Sequence, residues 1–250
     1  MSESDNTKKS APLTPKSQSA LGTPLAIVLA GVIIAGAIMF SGDKGAAPIV
    51  VADNQPPVVE QKTEEELLKF AEIVDGDHVR GNRNADVYIL EFSDTECPFC
   101  KRFHETMQQV MAEYGGEVAW VYRHFPLAQL HSKATREAEA TECAAKLGGE
   151  DIFWAYTDRI YEITPSNDGL EDSKLPEIAG ELGLDVAAFN ECLNDGEMTE
   201  EVAKDFQNAV DLGGTGTPHS LIVTKDSIIP IRGAQPFDVV KSSLDAVLAK

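Results

Sequence analysis

A chain of 250 residues, 43% of them hydrophobic, can bury the core of one ordinary domain and has length left for appendages. Its 41 acidic against 21 basic residues give a formal net charge of −20, which repels phosphate backbones and excludes nucleic acid as a natural partner. Four cysteines, an even number, suit two pairs in a compartment where disulfides persist.

The stretch LGTPLAIVLAGVIIAGAIMF, residues 21–40, carries no charge. About 20 residues rising roughly 1.5 Å each cover the ~30 Å hydrocarbon layer of a bilayer, so a transmembrane anchor is expected. A cleavable signal would have a shorter apolar core and an A-x-A-like site; GAAP at 45–48 keeps that alternative open. Lys8, Lys9 and Lys16 precede the span and Asp43 and Lys44 follow it, which assigns residues 1–20 to a cytoplasmic tail. The expected location is the cell membrane, crossed once, with the bulk of the chain in the periplasm or at the cell surface. Residues 41–61, rich in Gly, Ala, Pro and Val, read as a flexible tether.

The folded part, 62–250, opens with Thr63 and Glu66 in a capping-box pattern, followed by Leu67, Phe70, Ala71 and Val74 at helical spacing. DVYILEF (86–92) reads as a buried strand. After it come a helix to about Glu113, a strand at 118–125 and a helical stretch over about 131–212. SLIVT (220–224) and SIIPIRG (227–233) return to strand character, and an amphipathic helix over about 236–248 closes the chain. This order, β-α-β, several helices, then β-β-α, predicts an α/β fold with a helical insertion at about 127–212. Phe153, Trp154 and Tyr156 are expected to pack the insertion's core, with the border of a groove as the alternative.

The chemistry concentrates in SDTECPFCKRF, residues 93–103, at a strand-to-helix junction. A helix starting there puts Cys97 at the N-cap and Pro98 at the first helical position, where its missing N–H costs nothing. Cys97 would then be partly exposed, its sulfur facing the free N–H groups and positive dipole end that favour a thiolate. Cys100 sits one turn on. A strand, turn, C-x-x-C and helix in series is a thioredoxin-type redox motif, with Cys97 as nucleophile and Cys100 as resolving thiol. Zinc would need four ligands, usually two such pairs, and the other cysteines lie far away. A purely structural bridge would close too short a loop to stabilise much. His78, His104, His124 and His131 lack metal-site spacing and are expected to be surface or packing residues, so no metal is assigned.

Four blocks, HVRGNRNADVYILEFSDTECPFCKRFH (78–104), ATECAAKLGGEDIFWAYTD (140–158), LGLDVAAFNECL (182–193) and GGTGTPHSLIV (213–223), resemble successive blocks of the bacterial DsbA-like thiol-disulfide oxidoreductases. The resemblance spans most of 63–250. It implies a thioredoxin-like fold with an inserted helical domain, and an extracytoplasmic enzyme that introduces disulfides into reduced secreted or periplasmic proteins. By position it makes Cys97 the attacking cysteine, and Thr217 and Pro218 the loop whose proline is cis, lining a substrate groove with Pro98 and Phe99. A trans-proline turn is the alternative at that loop. It sets Glu91 beneath the cysteines, as an acid that relays a proton for Cys100; a solvated strand carboxylate is the other reading.

The resemblance further implies that Cys143 and Cys192 form a structural bridge, with a second redox relay or free buried thiols as alternatives. It implies a monomer with no cofactor beyond the Cys97–Cys100 pair, reoxidised by a quinone-coupled membrane redox partner in the family's manner. Phe99 stands where the best-known members carry His, which can help stabilise the thiolate, and His219 follows Pro218 where small or apolar residues are more familiar. The same fold also serves reductases and isomerases that run the exchange the other way. A binding module or holdase with idle cysteines is the rival from another class.

Overall fold

The structure, a computed structural model, describes residues 62–249. The expected tail (1–20), anchor (21–40) and tether (41–61) lie outside the described residues. Among the described residues no helix is long and apolar enough to cross a membrane.

Helix α1 (Glu64–Ala71) begins with the capping box, the Glu66 amide donating to Thr63 Oγ1 and the Thr63 amide to Glu66 Oε2. Strands β1 (His78–Gly81), β2 (Val87–Ser93), β3 (Val118–His124), β4 (His219–Thr224) and β5 (Ile228–Arg232) form one sheet in the order β1-β3-β2-β4-β5. Strand β2 runs parallel to β3 and antiparallel to β4, so the last residues of β2 lie beside the first residues of β4. Strands β2 and β3 are buried on both faces, as the central parallel pair of a covered sheet should be.

Helix α2 (Pro98–Tyr114) connects β2 to β3, and α8 (Phe237–Leu248) follows β5. Both pack on the sheet face carrying Val87, Ile89, Trp120 and Ile222, burying Phe103, Met107, Val240 and Leu244. The opposite face, with Leu90, Phe92, Val121 and Leu221, is covered by α1 and by α7 (Thr199–Asp211) through Ala71 and Ala209. Between β3 and α7 lie α3 (Ala134–Gly148), α4 (Glu150–Ile163), α5 (Lys174–Glu181) and α6 (Val186–Asp195). Their own core holds Tyr156, Ile160, Leu175, Ile178, Phe189 and Leu193.

Two expectations need correction. Strand β1 was not anticipated: HVRG offers one strongly β-forming residue and is held by antiparallel pairing with β3, Val79 opposite Val121. Phe153, Trp154 and Tyr156 do not share one core. Helix α4 lies between sheet and insertion, so Phe153, Trp154 and Tyr161 join the core against the sheet while Tyr156 and Ile160 face the insertion.

Candidate active site

The turn that ends β2 carries the Cys97 amide to the Asp94 carbonyl, 3.1 Å away, and places Cys97 at the N-cap of α2 with extended backbone (φ −78°, ψ 121°) and Pro98 in the first turn. The β2–β4 pairing, Phe92 opposite His219, brings the Thr217–Pro218 loop over the same helix end. That peptide bond is cis, and the Cys97 thiol donates to the Thr217 carbonyl at 3.5 Å. Cys97 is only 4% exposed, less than a bare helix N-terminus implies, because this second loop covers it. Phe99 next to it is 53% exposed, with the Arg102 guanidinium over its ring.

The two thiols are pushed apart in acidity. Cys97 is lowered to about 6: a hydrogen bond from Cys100 leads, burial opposes, and the Thr217 side chain and the amides of Cys100 and Phe99 add to it. Cys100, fully buried, is pushed up by that burial, then by its bond to Cys97 and the nearby negative charge of Cys97 and Glu91. Such a site can hold one sulfur as a nucleophile near neutral pH and the other as a protonated reserve.

Glu91 lies beneath, on the face of β2 that also carries Ser93. It is not half-buried but 0% exposed, and burial raises its carboxyl to about 7 against hydrogen bonds from Ser93 and Trp120 that favour the anion. Ser93 Oγ donates to Glu91 Oε1 at 2.7 Å and Trp120 Nε1 to Oε2 at 2.9 Å. Ser93 Oγ also meets the Tyr161 hydroxyl at 2.9 Å, and Tyr161 meets Tyr122 at 3.1 Å. None of these hydroxyl or indole partners was singled out from sequence. The i, i+2 relation of Glu91 to Ser93 on one strand was the available signal; Trp120, Tyr122 and Tyr161 come from other elements.

The turn itself is built on acids. The Asp94 carboxylate accepts from the Glu96 and Leu127 amides at 2.9 and 2.8 Å and pairs with His131 at 2.9 Å. Glu96 accepts from the amides of Gly169 and Leu170, both at 3.2 Å, and shares a hydrogen bond with Glu137 of α3. Burial first, then the neighbouring Glu96 side chain, raises Glu137 to about 9, which favours its protonated form near neutrality.

A family model described as Thioredoxin matches residues 74–245. The chain belongs to the thioredoxin family. DsbA2 of Pseudomonas aeruginosa is 27% identical, with a TM-score of 0.61 over 70% of this chain and 96% of that one. BdbD of Bacillus subtilis, 21% identical, has the same fold, with a TM-score of 0.63 over 72% of this chain and 96% of its own. The chain shares its fold with these DsbA-type structures. The Na(+)/H(+) antiporter NhaA 1 of Mycolicibacterium gilvum is 34% identical over 145 residues, 56% of this chain but 22% of the antiporter. The chain thus spans about a fifth of the length of the curated relatives it matches.

Elsewhere in the domain the histidines are packing residues, the second of the two expected readings, with acidic partners the sequence did not name. None of His78, His104, His124 and His131 is at the surface; each is buried against a carboxylate. His78 lies between Glu142 of α3 and Glu150 of α4, at 3.1 and 2.8 Å, and its ring stacks on Phe153. Burial opposes its charge, but the two carboxylates outweigh that and raise it to about 9. The same Glu142 pairs with His124 at 2.9 Å and is held down at about 2 despite its burial. Among the described residues no cluster of His, Cys, Asp and Glu is arranged to hold a metal ion. His219 stacks on Phe92 and bonds to the Leu212 carbonyl at 3.2 Å, away from the Cys97 sulfur. Cys143 of α3 and Cys192 of α6 are joined by a disulfide, while Cys97 and Cys100 are free thiols.

Proposed function

We propose that this oxidoreductase works as a thiol oxidase outside the cytoplasm, held to the membrane by residues 21–40 and donating the Cys97–Cys100 disulfide to reduced secreted proteins. The observation that carries the reading is the split between the thiols, Cys97 lowered to about 6 and Cys100 raised. A stabilised Cys97 thiolate stabilises the reduced pair, and a stabilised reduced form is what makes such a pair oxidising.

A substrate thiolate attacks Cys97 Sγ of the oxidised pair; the new bond is a mixed disulfide, and Cys100 leaves with the electron pair and takes a proton. A second substrate thiol, deprotonated, attacks the substrate sulfur of the mixed disulfide and expels Cys97 as its stable thiolate. The substrate loses two electrons and the pair gains them, so no cofactor is required. Glu91 is the proton store for Cys100. Phe99, Pro98 and the Thr217–Pro218 loop form the contact surface for the substrate chain, with Phe99 as its exposed apolar element. The Cys143–Cys192 bond is structural. The enzyme acts as a monomer and returns its electrons to a membrane redox partner.

The test is to titrate the Cys97 thiolate of the full chain in detergent by ultraviolet absorbance and to equilibrate it with glutathione. A thiolate pKa near about 6 with a potential more oxidising than about −200 mV supports a disulfide donor. A potential near about −270 mV, the thioredoxin value, turns the reading to a reductase. Protease added outside intact cells should digest residues beyond 41; protection would remove the extracytoplasmic assignment.

A further inference from the structure

The mechanism asks for a proton at Cys100 whenever that thiolate leaves, and both Cys100 and Glu91 are sealed from solvent, each 0% exposed. A hydroxyl has one proton to give and two lone pairs to accept with. At Ser93, Oγ donates to Glu91 Oε1 at 2.7 Å and meets the Tyr161 hydroxyl at 2.9 Å; the same side chain favours the charged form of Cys100, whose sulfur accepts from the adjoining Asp94 amide at 3.5 Å. With its proton on Glu91, Ser93 accepts from Tyr161; turned to a Cys100 thiolate, that proton is donated to the sulfur and stabilises its charge. Trp120 Nε1 fixes the far oxygen of Glu91 at 2.9 Å, so the near one stays turned to Ser93.

We propose that the Ser93 hydroxyl is the proton relay between Cys100 and Glu91. When Cys100 leaves the disulfide as a thiolate, Ser93 passes its proton to Cys100 and takes one from the Glu91 carboxylic acid, which becomes a carboxylate. When the pair is reoxidised, the Cys100 proton returns to Glu91 by the same two transfers. Nothing is consumed, and the hydroxyl ends each cycle unchanged. The inference rests on the proposed exchange at Cys97 and adds a residue to it. The titratable groups that face this point are Cys97 and Cys100 from α2, Tyr122 from β3 and Tyr161 from α4, with His104 of α2 stacked on the Tyr161 ring at 4.4 Å. Burial raises both tyrosines well above their ordinary range, so they orient Ser93 without losing their own protons near neutrality.

The experiment is stopped-flow reduction of the oxidised full chain by dithiothreitol between about pH 5 and pH 9, with rates corrected for the dithiothreitol thiolate fraction. Wild-type rates should fall as pH rises through about 7, where the Glu91 acid is lost. Ser93→Ala should slow the reaction about 10- to 100-fold, within the usual range for a positioned acid, and abolish that inflection. Glu91→Gln should do the same, the double variant should be no slower than either single one, and Ser93→Thr should restore rate and inflection. The Cys97 thiolate titration should be unmoved by Ser93→Ala, because Ser93 is not among the groups that hold that sulfur. A Ser93→Ala enzyme with the wild-type profile, while Glu91→Gln loses it, overturns the relay and leaves Glu91 working without the hydroxyl. If Glu91→Gln also keeps the inflection, the carboxyl assignment falls and the relay with it. Exchange that survives Cys97→Ser overturns the assignment of Cys97 as the attacked sulfur, an outcome separable from both.

Discussion

The two cysteine pairs of this chain differ in what surrounds them more than in how far they are buried. Cys97 and Cys100 are almost as enclosed as Cys143 and Cys192, yet the first pair meets amide N–H groups, a carbonyl, a hydroxyl and a buried acid, and the second is packed among Tyr156, Leu175, Ile178 and Phe189. A sulfur surrounded by hydrocarbon has no means of holding a negative charge; one at a helix N-terminus does. Local polarity therefore sorts exchange from stapling.

The largest test of that contrast is Cys97→Ser, which should reduce turnover of a reduced peptide to the uncatalysed background while far-ultraviolet circular dichroism stays unchanged. The mirror experiment is the Cys143→Ala, Cys192→Ala double variant. Its bridge closes a separation of 49 residues, so in the chain-entropy model its removal should cost roughly 4 kcal/mol in urea unfolding. Its exchange rate should stay within about twofold of wild type; loss of exchange with an intact fold would make this pair a second relay.

A third test concerns the other fastening of α3. Glu142 precedes Cys143, and it ties the helix to the sheet through His78 and His124. His78 is raised from 6.5 to about 9 in the folded chain, so its contribution is fully present below about pH 6.5 and is lost as pH rises through about 9. Unfolding free energy should fall by on the order of 3 kcal/mol across that window, and His78→Gln should flatten this part of the curve. The lowered pKa of Glu142 describes the same contact from its other end and is not added. The smallest effect is expected from Phe99→His. An imidazolium in the first turn of α2 should lower the Cys97 pKa by about half a unit to one unit and make the potential more oxidising by roughly 10 to 30 mV in the glutathione equilibrium.

Much of the reactive pair could be read from the chain because its signals are local. C-P-F-C sits where an apolar strand gives way to helical spacing, and the proline defines the helix start. The second half of the site is not local. Thr217 is 120 positions from Cys97, and its place over the sulfur follows from β4 pairing with β2, which periodicity does not report. The buried histidines escaped for the same reason: His78 and Glu142 are 64 residues apart, and a polar residue satisfied by a distant partner looks on paper like a surface residue. Ser93 stood in plain view beside the motif, but its importance needs Tyr161 from a helix 68 residues away.

The bonds that Glu96 accepts from Gly169 and Leu170, and its place beside Glu137, have a consequence for how this domain can be altered. One residue before the nucleophile, a side chain on the thioredoxin-like half is completed by groups on the helical half. Cutting the insertion out to leave a minimal sheet domain would strand a buried acid beside Cys97 and remove the floor of the catalytic turn. The helical half is therefore not a detachable cargo, and recombining it with another scaffold requires carrying Thr95, Glu96 and Glu137 across as a set.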